Sequence, residues 1–330
     1  MKQKLLICAA SLLLTGCGAA AEGSSEAMNE TTGTQNQTTA SETTTVTETT
    51  AAPEPAVPYL EQCRAKMTEV PPEEILVKRE NAVYPEFQKY SYYSSVCGRE
   101  KTVNVLLPAD YRPDVRYPVL YILHGSADNE DWMARDEVYL STMLNNLIAD
   151  GEAKEMIVVS PYIYCSLDGS ACTALNREAF LNFDRFIEET ETDLKPFIEQ
   201  QFSVAEGPEN TAVTGFSIGG RESLGIGFLY PEQFGYIGSI CTASGVVKGT
   251  GNTYLLEPEQ FCLRGEPPYL LLLSASEIDR AVGDIPFGYE QMLSENGTEH
   301  LWHLMTTTGH EVGSVISHMY NFYRMVFQAM

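Results

Sequence analysis

Positive charge is scarce in this 330-residue chain: 21 lysines and arginines stand against 45 acidic residues, for a formal net charge of −24. Such a surface repels polyanions, which excludes nucleic acid as a partner. Long apolar runs are missing as well, since the one that follows Lys2 and Lys4 stops at Leu14, too short to cross a bilayer. No Cys-x-x-Cys or paired Cys/His spacing occurs, so no zinc site is implied. Nor is there an internal repeat, which excludes solenoids and propellers. Histidine is limited to five residues, and this narrows any search for a general base.

What is present at the start is a basic pair, a short apolar stretch and then Leu14-Thr15-Gly16-Cys17. The first 17 residues read as a signal peptide. Their end resembles the bacterial lipobox, in which the cysteine after the cut becomes acylated, so Cys17 is the expected lipid attachment site. From residue 18 to residue 57 the chain is nearly all Thr, Ser, Ala, Glu, Gln, Asn and Gly. It holds too little apolar surface to fold and reads as a disordered tether, whose roughly 40 residues span about 35 Å. Residues 58–330 then form one domain. The expected location is extracytoplasmic, anchored to the bacterial cell membrane. Six cysteines remain there, Cys63, Cys97, Cys165, Cys172, Cys241 and Cys262, and an exported domain can oxidise them. Their pairing stays open; Cys165 and Cys172 are close enough in sequence to close a small loop.

Apolar runs of strand length recur at Thr102–Leu107, Val119–Leu123, Met156–Ser160, Thr211–Thr214, Tyr236–Cys241, Tyr269–Leu273 and Leu301–Met305. Most are apolar at every position, as strands of a buried, largely parallel sheet are. Helical stretches alternate with them at Glu137–Ile148, Arg177–Phe202, Ile218–Leu229, Phe287–Glu295 and Gly313–Gln328, and Pro196 is placed to kink or split the second. The alternation predicts a doubly wound, mostly parallel α/β sheet with helices on both faces. Working residues are then expected on loops at the carboxyl ends of strands.

Gly215-Phe216-Ser217-Ile218-Gly219-Gly220 lies between a strand and a helix, the setting of a nucleophile elbow. Serine needs a base to take its proton, and in this architecture the order is serine, acid, histidine. Of the histidines after Ser217, His300 and His303 flank or enter a strand and His318 sits in the last helix. His310, in a glycine-led loop between the final strand and helix, is the expected base. Asp279, just past the strand at Tyr269–Leu273, is the expected acid, with Asp284 and Glu277 as alternatives. The oxyanion needs backbone donors, assigned to Ile218 and, on the loop Leu123-His124-Gly125-Ser126, to Ser126. Trp132, Tyr162 and Tyr164 follow strands on the same side and read equally as ring-stacking or packing residues.

Several segments in order resemble the esterase group of the α/β-hydrolases that includes feruloyl and acetylxylan esterases of carbohydrate esterase family 1. They are Tyr93-Ser94-Ser95 with Thr102–Tyr111, which resembles an opening hairpin and a Leu-Pro-x-x-Tyr segment, then Tyr117–Gly125, Gly215–Gly220 and Tyr230–Phe234. The likeness runs from about Tyr90 to the C-terminus. It implies the α/β-hydrolase fold and places Asp279 in the family's Gly-x-x-Asp turn, although Ser276 stands where glycine is usual. His310-Glu311-Val312 departs from the usual His-Asp/Glu-Trp, so a family aromatic is missing there.

The expected activity is hydrolysis of carboxylic esters through an acyl-enzyme, on small-molecule or polysaccharide esters carrying acetyl or feruloyl groups, with no cofactor or metal implied. The same architecture also serves siderophore-ester hydrolysis, thioester hydrolysis and acyl transfer. A different class, a non-catalytic carbohydrate-binding lipoprotein, would need no serine elbow.

Overall fold

A computed structural model describes residues 57–265 and 267–329. The signal peptide, Cys17 and the tether as far as residue 56 lie outside the described residues. Strands β1 (Gln88–Ser94), β2 (Arg99–Leu106), β3 (Val119–Leu123), β4 (Ile157–Pro161), β5 (Thr211–Gly215), β6 (Tyr236–Ile240), β7 (Leu270–Ser276) and β8 (Leu301–Met305) form one sheet in the order β1-β2-β4-β3-β5-β6-β7-β8. The β1–β2 and β2–β4 pairs are antiparallel, and every pair from β4 through β3 to β8 is parallel.

Every residue of β3, β4, β5, β6 and β7 is buried, because helices cover both faces. Alternate side chains divide between two cores. Leu120 and Ile122 point with Val158 into a core closed by α2 (Leu140–Ala149) and α7 (Val312–Tyr323), against which α1 (Tyr59–Lys66) also packs. Val119, Tyr121 and Leu123 point the other way, toward Phe183 and Phe186 of α3 (Arg177–Glu189), Ile198 of α4 (Lys195–Gln201) and Ile218 of α5 (Ile218–Leu229). Tyr289 and Leu293 of α6 (Ile285–Asn296) extend that layer over β7. Among the described residues no helix is long and apolar enough to cross a membrane.

Several boundaries differ from those expected. Strand β7 continues through Ser274-Ala275-Ser276, which read as post-strand loop. The serines are tolerated because Ser274 Oγ meets His318 Nδ1 at 2.7 Å and His303 Nδ1 at 3.0 Å, and Ser276 Oγ donates to the Thr308 carbonyl. The long second helix is interrupted by a single π turn at Thr190–Leu194. Pro196 has no N–H to give the carbonyl one turn back, and the extra residue absorbs that break while the axis continues. Helix α2 starts late, at Leu140, after a 3₁₀ turn at Asp136–Val138.

Candidate active site

Strand β5 delivers the chain into the elbow, where Ser217 adopts φ 58° and ψ −114°, a conformation non-glycine residues avoid. Backbone bonds pin it from neighbouring strands: Phe216 N–H donates to the Leu123 carbonyl at 3.0 Å, and Ser217 N–H to the Ile240 carbonyl at 2.8 Å. The glycines are dictated by space. A Cβ on Gly215 would sit 2.4 Å from the Gly219 backbone, and one on Gly219 would sit 2.4 Å from the Leu123 carbonyl oxygen. Only bare backbone lets α5 start so close to β3 and β5.

The Ser217 hydroxyl lies 2.9 Å from His310 Nε2, and His310 Nδ1 lies 2.7 Å from Asp279 Oδ2. These two contacts bring together residues from the carboxyl ends of β5, β7 and β8. The bond pattern fixes the tautomer that base catalysis needs: Nδ1–H donates to the carboxylate and Nε2 is free to accept the hydroxyl proton. The other Asp279 oxygen accepts the amides of Ala281 at 2.8 Å and Val282 at 3.2 Å. Burial pushes the Asp279 carboxyl up, but the His310 bond and these amides outweigh it and hold the group below its ordinary value. Asp284 sits at the N-cap of α6 and Glu277 is exposed, and among the described residues neither side chain bonds His310.

Above the imidazole, Phe216 packs at 4.5 Å between ring centroids, and Trp132 packs on Phe216 at 5.3 Å. Trp132 thus walls the elbow from the side. Tyr164 is a core residue whose hydroxyl accepts a bond from Asn182 and whose ring meets Phe183 edge-on. The Tyr162 ring, half-buried, stacks on His124.

The loop after β3 lies directly against the elbow: a Cβ on Gly125 would sit 3.2 Å from the Phe216 ring, and one on Gly219 would sit 2.6 Å from the His124 carbonyl oxygen. Neither Ile218 N–H nor Ser126 N–H donates within the described residues, so both remain available to an oxyanion. His124 orients the second. Its Nε2 accepts the Ile163 amide at 3.1 Å, so the proton sits on Nδ1, which donates to the Gly125 carbonyl at 2.7 Å. In a trans peptide the N–H points opposite the carbonyl, so this bond turns Ser126 N–H away from His124. Burial lowers His124 to about 4, which keeps the ring neutral and that arrangement fixed.

One neighbour of Asp279 and His310 carried no signal in the sequence. Cys241, at φ 46° just past β6, is buried within 4.8 Å of the Asp279 and His310 ligand atoms. Its thiol is pushed up by burial and by the Asp279 charge, so it stays protonated. His318, read as structural, is buried between Thr214 and Ser274, with ring contacts of 2.9 and 2.7 Å.

Residues 94–300 match the family described as "Putative esterase". A CE1 ferulic acid esterase from Anaeromyces mucronatus, solved in complex with ferulic acid, is 33% identical, with a TM-score of 0.75 over 80% of this chain and 98% of that one. An endo-1,4-beta-xylanase/feruloyl esterase from Xylanibacter ruminicola is 33% identical over 190 residues, which is 54% of this chain and 23% of that protein. A match to endo-1,4-beta-xylanase Y of Acetivibrio thermocellus covers 12% of the relative. The chain therefore spans less than a quarter of the length of these two curated relatives. The feruloyl esterase module from Clostridium thermocellum shares the fold at 17% identity and a TM-score of 0.59.

Proposed function

Because this chain belongs to the "Putative esterase" family, an α/β-hydrolase group whose relatives here are CE1 ferulic acid esterases, we propose that it is a serine esterase. In this reading it cleaves acetyl or feruloyl esters on plant polysaccharide through an acyl-enzyme. The observation that carries the reading is the unbroken Ser217–His310–Asp279 hydrogen-bond chain, 2.9 and 2.7 Å. His310 Nε2 takes the Ser217 proton as Oγ attacks the ester carbonyl, and the oxyanion forms toward the amides of Ile218 and Ser126. The imidazolium, steadied by ionised Asp279, gives its proton to the departing alcohol. Water repeats the sequence on the acyl-enzyme and frees the acid.

The placement is extracytoplasmic, with lipidated Cys17 as anchor and residues 18–57 as tether; this part rests on sequence alone. The test of the chemistry is Ser217→Ala, assayed against acetyl, butyryl and feruloyl esters, together with a fluorophosphonate label. Expected are a loss of at least three orders of magnitude in turnover, roughly the scale of losing a triad member, and labelling confined to Ser217. Turnover by the variant at a tenth of the parent rate would reject Ser217 as nucleophile.

A further inference from the structure

Beneath the β1–β2 hairpin lies a buried polar cluster that ester hydrolysis does not use. Lys101 of β2 and Glu189 at the end of α3, with side chains 1% and 0% exposed, form an ion pair at 2.9 Å. The Tyr92 hydroxyl donates to the same carboxylate. Cys165, in the loop after β4, places Sγ 2.7 Å from Glu189 Oε2 and 3.1 Å from Lys101 Nζ. Cys97, in the hairpin turn, places Sγ 3.3 Å from that carboxylate oxygen. The two sulfurs and the carboxylate oxygen all lie within 4.8 Å of one another. Cys172, the partner suggested by sequence proximity, is instead half-exposed with its thiol turned to the Ala174 carbonyl.

Two thiols and a carboxylate could in principle hold a soft divalent cation, but the Lys101 ammonium already fills that role. A second cation beside it in a dry interior would be strongly repelled. We propose that Cys97 and Cys165 are a redox pair that closes to a disulfide, tying the β1–β2 turn to the loop after β4. The charge balance favours this outcome. Oxidation leaves both sulfurs uncharged, and Glu189, which gives up the thiol contacts, keeps Lys101 and Tyr92.

The cluster also divides the labour. The bond from Cys165 and the nearby Lys101 charge lower Cys97 to about 7, whereas burial pushes Cys165 well up. Cys97, in the hairpin turn and the more exposed of the two at 5% against 0%, attacks first as thiolate, on a small disulfide of an oxidising compartment, and one thiol of that oxidant leaves. Cys165 then gives up its proton and attacks Cys97 Sγ in the mixed disulfide, which forms the Cys97–Cys165 bond and expels the second thiol. Two protein thiols are oxidised and one disulfide is reduced to two thiols.

The inference is independent of the ester chemistry, and its test uses the full chain incubated with excess oxidised glutathione, or with dithiothreitol as reference. Each sample is denatured, alkylated without reductant, digested and weighed by mass spectrometry. Expected in the oxidised sample are linked Cys97 and Cys165 peptides, lighter than their sum by about 2 Da, with neither cysteine alkylated. The reference should show both alkylated. In Cys97→Ser, Cys165 should become alkylatable even after oxidation. Full alkylation of both residues in the oxidised sample overturns the proposal, and so does a Cys165–Cys172 link or stoichiometric zinc that shields the pair.

Discussion

Asp279 orients His310 through one oxygen while two backbone amides hold the other, so its carboxylate cannot rotate without losing three bonds. In Asp279→Asn an amide N–H₂ can face Nδ1 and select the opposite tautomer, leaving Nε2 protonated and unable to accept from Ser217. Turnover on a small acetyl ester should fall by about 10⁴. Asp284→Asn and Glu277→Gln should change it little, since neither touches the base. Circular dichroism confirms that each variant is folded; a severe loss at Asp284 with normal turnover at Asp279 would move the acid. The three triad positions could be read from sequence because each follows a strand and is marked by local punctuation, as with Gly215 and Gly219 around Ser217 or Gly309 before His310. Cys241 could not be. It reaches Asp279 only because β6 ends beside β7, where Cys241 N–H donates to the Ser274 carbonyl at 2.8 Å.

At the scale of the element, α5 does more than follow the elbow at Ser217. Residues Ile218–Phe228 are all buried, including Arg221 and Glu222. The Arg221 guanidinium meets both Asp184 and Glu222 at 2.5 Å. One cation cannot neutralise two carboxylates, and burial, against the pull of Arg221, raises Glu222 to about 8. The folded chain thus keeps a proton that the unfolded chain releases above its ordinary glutamate value. This contribution to stability is complete in acid, declines as pH rises through about 8, and is flat beyond. Glu222→Gln removes the titration, so urea unfolding at several pH values should show a shallower decline between about pH 5 and pH 8 than the parent, by up to roughly 1.4 kcal/mol per pH unit. An unchanged pH slope would reject the protonated Glu222. The sequence showed that this helix exists but not its charges, because Asp184 is 37 residues away from Arg221. Likewise the apolar runs announced β3 and β5, while β1, with five of seven residues exposed or partly so, and the π turn at Thr190–Leu194 depend on tertiary partners no local pattern reveals.

For the whole molecule, the proposed reading divides the labour between an anchor, a spacer and a folded domain that holds the proposed chemistry. Ser217, His310, Asp279 and the two amides proposed for the oxyanion lie within residues 126–310, and among the described residues their hydrogen bonds stay within that span. Attachment and catalysis should therefore separate cleanly. A single acyl chain gives only marginal, reversible membrane binding, so a lasting hold at Cys17 takes a second anchoring signal. Cys17→Ala removes the acceptor while leaving the tether and domain untouched. In a bacterial host that processes lipoproteins, the parent should sediment with membranes and the variant should appear in the soluble fraction, with turnover per molecule on a soluble acetyl ester the same for both. Retention of the variant in the membrane fraction would place the anchor elsewhere, and a variant released but inactive would show that the leader contributes to the folded domain.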